Sequence, residues 1–409
     1  MCYERSAMTM LRPTTSRVPA SAAAKGPKRV AFLVATAGIV LAACGASSPS
    51  SSKPTTTSTL PPLPPNVIAY VALAGSGGNL GNGSTLVEVT VSPGPSAVGA
   101  PIKVGTYPDA VAVTPNGDLA LVANYTSNTV TPISLPSGKA LPSIDAGSGP
   151  AGIAITPDGA MAYVTDANAN AVTPIDLSTL KPAKPIPVGG GPQGIVITPD
   201  GSKAFVADAG AILGGQSGGI GHQVTPIDLS TGKALAPINV GNAPVGIAVT
   251  ADGSTVFVTN LNSESVTPIN TASDTAAAAI ATDGGPIAVV VAANAAWVVN
   301  TPASGTSGNN VQPISVATDR AGRPIRMPKG AQNIALAPDG RTAWVACLNS
   351  ASLVPIDLRT KKAGKAILVL GGPVAVAVAN QAKATPTTSV PTSSVAKSKK
   401  KSKVTTTTK

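Results

Sequence analysis

Residues 162–201 read AYVTDANANAVTPIDLSTLKPAKPIPVGGGPQGIVITPDG, and the parts of this stretch recur in the same order along most of the chain. They are a Tyr-Val-Thr-Asp run, a Val-Thr-Pro-Ile-Asp run, a Pro-Val-Gly-Gly turn, an Ile-Val-Ile run and a Pro-Asp-Gly turn. Val71, Val122, Val164, Val206, Val258, Val298 and Val345 hold the second position of the first run, which gives seven units at spacings of 51, 42, 42, 52, 40 and 47 residues. A period of this size means stacked or radially arranged units.

Helical repeats share such periods, but here each unit contains short β-branched runs separated by Gly, Pro, Asn and Asp. Four strands per unit, repeated radially, make a blade of a β-propeller. The expectation is an all-β, seven-bladed β-propeller of four-stranded antiparallel blades over residues 66–380. The first unit begins at Val67 on its second strand, while a spare Gly372-Pro373-Val374-Ala375-Val376-Ala377-Val378 follows the last unit. That spare strand should complete the first blade and close the ring, leaving no open edge.

Tyr163-Val164-Thr165-Asp166 and Phe257-Val258-Thr259-Asn260, each accompanied by a Val-Thr-Pro-Ile run and a Pro-Asp-Gly or Ala-Asp-Gly turn, resemble the YVTN repeat of bacterial surface and secreted seven-bladed propellers. The resemblance spans roughly residues 67–380 and implies a fold. It implies no activity, because that family shares none. The strands of a blade are called A to D from the axis outward, following the resemblance.

The net charge of +11 divides unevenly: residues 1–43 carry +5 and residues 381–409 carry +7, so the blades are almost neutral. Lys25, Lys28 and Arg29 precede an apolar run over residues 30–43. It is shorter than the ~20 residues of a membrane span and suits the apolar core of an export signal. The run ends in Leu41-Ala42-Ala43-Cys44-Gly45, which resembles a bacterial lipobox and implies a diacylglyceryl group on Cys44. Residues 1–43 are thus read as a lipoprotein-type signal peptide. Residues 44–65, mainly Ser, Thr and Pro, are read as an extended tether, and residues 381–409 as a basic, disordered tail. The expected location is outside the cytoplasm, lipid-anchored to the bacterial cell membrane.

With Cys44 lipidated and Cys2 removed, Cys347 remains alone and no disulfide is expected. Prolines 132, 174, 226, 268, 313 and 355 recur in strand C, where a proline would break the ladder of an interior strand. A built-in bulge, or an N–H position facing no partner, is expected there. Pro-Asp-Gly turns at 157–159, 199–201 and 338–340 supply an Asp-Gly pair for the A–B hairpin.

The face bearing the B–C connections is where the units differ. Residues 74–85, 209–222 and 301–310 form long, Gly-rich loops there, and the only histidine, His222, closes the longest. Variable loops on a repeated scaffold are where binding usually falls. Asn124, Asp166, Asp208, Asn260 and Asn300 end strand B on this face, while Leu73 and Cys347 break the pattern. These side chains either cap the B–C turn or turn their oxygens to a ligand near the axis. Two carboxylates are few for Ca²⁺, so neither a metal nor a cofactor is expected.

General acid–base chemistry usually draws on His or Glu, and after export the chain keeps His222, Glu88 and Glu264. Neutral blades poor in aromatic residues weigh against nucleic acid. The reading is a monomeric, non-enzymatic binding scaffold for an envelope polymer or protein. The alternative is a lactonase- or lyase-like enzyme with its site on the B–C face.

Overall fold

The computed structural model describes residues 67–75, 83–92, 96–210, 219–292, 294–302 and 308–380. The signal peptide, the tether, Cys44 and the basic tail expected from the sequence lie outside these residues. Seven antiparallel sheets follow one another, each with strand order A-B-C-D. Among the described residues the one helical turn is a short 3₁₀ segment, Leu261–Ser263.

The third blade shows the plan. Strand A is Pro150–Ile155, B is Met161–Asp166 and C is Ala171–Asp176, while D is two short pieces, Lys181–Pro182 and Ile186–Pro187, both paired with C. Successive residues of strand B point to opposite faces, and both faces are covered because a blade lies on either side. Val164 therefore packs towards the second blade and Tyr163 towards the fourth. Seven apolar clusters result, one in each interface between neighbouring blades.

The ring closes as expected. Pro373–Asn380 is strand A of the first blade and pairs antiparallel with strand B, Val67–Leu73, with Val71 opposite Val376 and Val67 opposite Asn380.

The recurring proline of strand C also finds its reason. Pro174 lies opposite Tyr163 on strand B, and its carbonyl accepts the N–H of Ala183 in the gap between the two pieces of strand D. In an antiparallel ladder the N–H and C=O of a residue point the same way. The missing N–H of Pro174 thus falls where strand D bulges away. The same carbonyl bond recurs at Pro132, Pro226, Pro268, Pro313 and Pro355, and at Glu88 in the first blade.

The A–B turn differs in detail from the expected hairpin. The φ of Gly159 is +72° and that of Gly201 likewise, but their Asp neighbours stay in ordinary backbone space. Gly159 N–H donates to Thr156 O, so Pro157 and Asp158 are the central residues of a turn whose first φ proline pre-sets. Asp158 is a turn former: its Oδ1 accepts from Thr156 Oγ1 and from Ala160 N–H, which holds its carboxyl below the usual range.

Candidate functional site

Each Asx residue of the B–C face lies at or near the end of strand B and is buried, between 0% and 2% exposed: Asn124, Asp166 and Asn260 are the last residues of their strands, while the strand continues past Asp208 to Gly210 and past Asn300 to Thr301. A polar group can sit there because it is bonded from strand C. Asn124 Nδ2 donates to Thr131 Oγ1 at 2.9 Å, and Asn260 Nδ2 to Thr267 Oγ1 at 2.9 Å. Thr173 and Thr225 donate to Asp166 Oδ2 and Asp208 Oδ2, each at 2.6 Å. Asn300 Nδ2 donates to Asn310 Oδ1.

The other side of these side chains meets the connector from the preceding blade at Gly105, Gly147, Gly189 and Gly241. A Cβ there would lie 2.3–2.7 Å from an Asx side-chain carbon, which is why the connector carries glycine. Burial raises the carboxyl of Asp166 to about 6 and that of Asp208 to about 7, against the lowering pull of the threonine hydroxyls and the Gly147 and Gly189 N–H groups. Oδ1 of all five residues has no partner among the described residues.

His222 lies in strand C of the fourth blade, Ile220–Asp228, and is exposed. Its carbonyl accepts Val240 N–H as those of Asn128, Asn170 and Asn309 accept the matching N–H in their blades. The loop before it, residues 211–218, lies outside the described residues, as do 76–82 and 303–307 of the other two long loops. Cys347 takes the Asx place in the seventh blade. It is fully buried, and burial pushes its thiol up to about 11, the state of an inert packing residue.

None of these residues lines the cavity at the propeller axis. That cavity holds about 510 Å³ and is walled by the first half of each strand A, together with Tyr107, Leu261 and Leu348 from the B–C and D–A connections. Its mouth is therefore on the B–C face. Every strand A enters with a bulge or register shift against strand B. Adjacent strands A nearly touch there: Gly152 N–H donates to Thr165 Oγ1 at 2.7 Å, and Thr165 Oγ1 donates to Gln193 O of the next blade at 2.6 Å.

The wall is mostly Val, Ile, Ala and Gly, with Gln193, Gln332 and Asn333 as amides and Asp109 as the one carboxylate lining it. Asp109 is half-buried, and burial raises its carboxyl to about 7. Tyr107, at the mouth, is raised by burial and by the nearby Asp109, and its ring meets Tyr125 edge-on at 6.0 Å. Asp109 does not stand out in the sequence because strand A reads as an apolar run. Aligning the repeats exposes it: the residue after the opening proline is Asp109, Ala151, Gln193, Val245, Ile287 and Val374 in six blades, and one of these is charged.

No family model and no curated protein matches the chain. Solved structures do. A protein of unknown function from Desulfotomaculum acetoxidans is 17% identical, with a TM-score of 0.63 over 77% of this chain and 99% of its own. A candidate 6-phosphogluconolactonase from Bacteroides fragilis is 15% identical, with a TM-score of 0.63 over 80% of this chain and 100% of its own. Hydrazine synthase of Kuenenia stuttgartiensis is 19% identical, with a TM-score of 0.57 over 67% of this chain and 90% of its own. These likenesses are of fold.

Proposed function

We propose that the chain is an exported, lipid-anchored propeller of the YVTN type that binds its partner without transforming it. The contact is at the mouth of the axial cavity, with a hydroxyl- or amine-bearing part of an envelope polymer or protein. The observation that carries this reading is Asp109, a carboxylate in a largely apolar wall with no hydrogen bond or ion pair among the described residues. A half-buried carboxylate without a partner, set in a largely apolar wall, favours a ligand that supplies one. Val67 and Asn380 both lie at the A–B end of the first blade.

Asp109 is also the group that a lactonase- or lyase-like enzyme would use as a base, since its raised carboxyl titrates near neutrality. It is the observation on that side. The binding reading is preferred because no His, Glu or Lys lines the cavity with it.

The test is binding of the intact protein to isolated cell-wall material. Asp109→Asn should abolish most of the binding without lowering the thermal melt. Binding by the unaltered protein should strengthen as pH rises through about 7, where Asp109 becomes charged. Undiminished binding by Asp109→Asn would overturn the site, and loss of binding on removing residues 381–409 alone would move the adhesive role to the tail. Cys44→Ala should shift the protein from detergent to water in a phase-partition assay, and unchanged partitioning would refute the anchor.

A further inference from the structure

On the face bearing the A–B and C–D turns, the seventh blade departs from the repeat by adding positive charge. In the seventh blade the A–B turn carries Arg341 and the C–D turn carries Arg359 and Lys361. Blades two to six hold Asp, Ala, Ser or Asn at the first of these positions, Pro, Ser or Ala at the second, and Gly, Leu or Asp at the third. Arg320, at the C–D turn of the sixth blade, faces the same gap. The four cations rim a cavity of about 430 Å³ between the sixth and seventh blades, with Trp297, Pro313 and Leu358 in its wall.

No carboxylate lines this cavity. The acids on the same turns, Asp339 and Asp357, lie outside the lining and form no ion pair with these cations; Asp339 Oδ1 accepts the N–H groups of Arg341 and Thr342, and Asp357 Oδ1 those of Arg359 and Thr360. Asp319, beside Arg320, is exposed and outside the lining. The single ion pair among the described residues, Lys203 with Asp274 at 2.9 Å, joins other blades. Trp297 is 3% exposed, and its indole N–H has no partner among the described residues.

Four like charges around one cavity repel one another, and an anion relieves that repulsion. Guanidinium groups offer paired, planar donors that match phosphate oxygens. The apolar wall excludes water from one side of the site and strengthens the attraction. From these positions we infer that the cleft between the sixth and seventh blades is a binding site for a phosphate group, the chemistry that a phospholipid headgroup and free phosphate share. It lies on the A–B and C–D face, opposite the mouth of the axial cavity, and does not depend on Asp109.

The experiment uses the full chain and the double variant Arg341→Ser, Arg359→Ser, which restores residues that other blades carry at those turns and so should fold. Lys139→Ser, an exposed cation on the second blade's C–D turn, is the control. One arm titrates inorganic phosphate by calorimetry. The other measures co-sedimentation with phosphatidylglycerol vesicles and with phosphatidylcholine vesicles.

The double variant should bind phosphate about tenfold more weakly, as expected for removal of two charge-assisted donors, with Lys139→Ser within about twofold of the unaltered protein. A parallel loss on phosphatidylglycerol vesicles assigns the site to headgroups, and loss in the phosphate arm alone assigns it to a soluble phosphate; either supports the site. Equal phosphate affinity and equal vesicle binding in the unaltered protein and the double variant would overturn it.

Discussion

Asp208 gives the sharpest test of the physical account, because its place in the repeat is held elsewhere by asparagine. The amide at Asn260 donates to Thr267 Oγ1, where the carboxyl of Asp208 accepts from Thr225 Oγ1, so Asp208→Asn keeps shape and bonding. Burial raises the carboxyl from 3.8 to about 7. The folded chain therefore holds a proton between pH 4 and pH 7 that the unfolded chain has released, and stability falls as pH rises through that window. At ~1.4 kcal/mol for each tenfold change in proton affinity, the loss is about 4 kcal/mol when complete. The asparagine variant has no such proton to lose. It should match the unaltered protein at pH 4 and exceed it by up to about 4 kcal/mol at pH 8, or roughly 8 °C in Tm at ~2 °C per kcal/mol for a domain of this size. Urea denaturation at fixed pH values from 4 to 9, followed by circular dichroism, measures the difference directly. A difference that stays constant across that range would refute the assignment of a neutral, buried carboxyl. Asp166, raised to about 6, should behave likewise with a smaller amplitude, and the two effects should add because they share no partner.

Truncation after residue 380 should leave the melt unchanged, whereas truncation after Gly371 removes strand A of the first blade and should lower Tm sharply; equal melts would sink the closure. Gly152→Ala would put a Cβ 2.3 Å from Gln193 O and should cost about 1–3 kcal/mol. Gly190→Ala, which meets nothing within 4 Å, should stay within ~0.5 kcal/mol of the unaltered protein by denaturant titration.

The ring was legible in the sequence because a strand covered on both faces carries few charges and repeats its pattern: Val-Thr-Pro-Ile recurs in the second to fifth blades, with Val-Gln-Pro-Ile in the sixth and Leu-Val-Pro-Ile in the seventh. The closing strand was legible as a spare Gly372–Val378 segment with no blade of its own. The role of Pro174 was not, because it depends on where strand D bulges, and that register is set by a C–D turn whose left-handed residue is Leu180 in one blade and Gly232 in the next. Asp166 ends its strand as expected, whereas the strand of Asp208 runs on to Gly210. Their bonding depended on the tilt of the pleat towards Thr173 and Thr225, which a sequence does not express. Asp109 was hidden for a related reason: only the convergence of seven strands at an axis turns one acid in an apolar run into the charge of a cavity.

The seam of the ring has a mechanical consequence. Val67 and Asn380 are direct partners at one end of the closing pair, so opposed forces on the chain before and after the propeller would meet at that point. Such a load opens the hydrogen bonds one after another, from Val67 towards Leu73, instead of sharing it among all of them at once. The propeller is built to come undone at its clasp when its ends are pulled apart, with the other six blades spared until the clasp has opened.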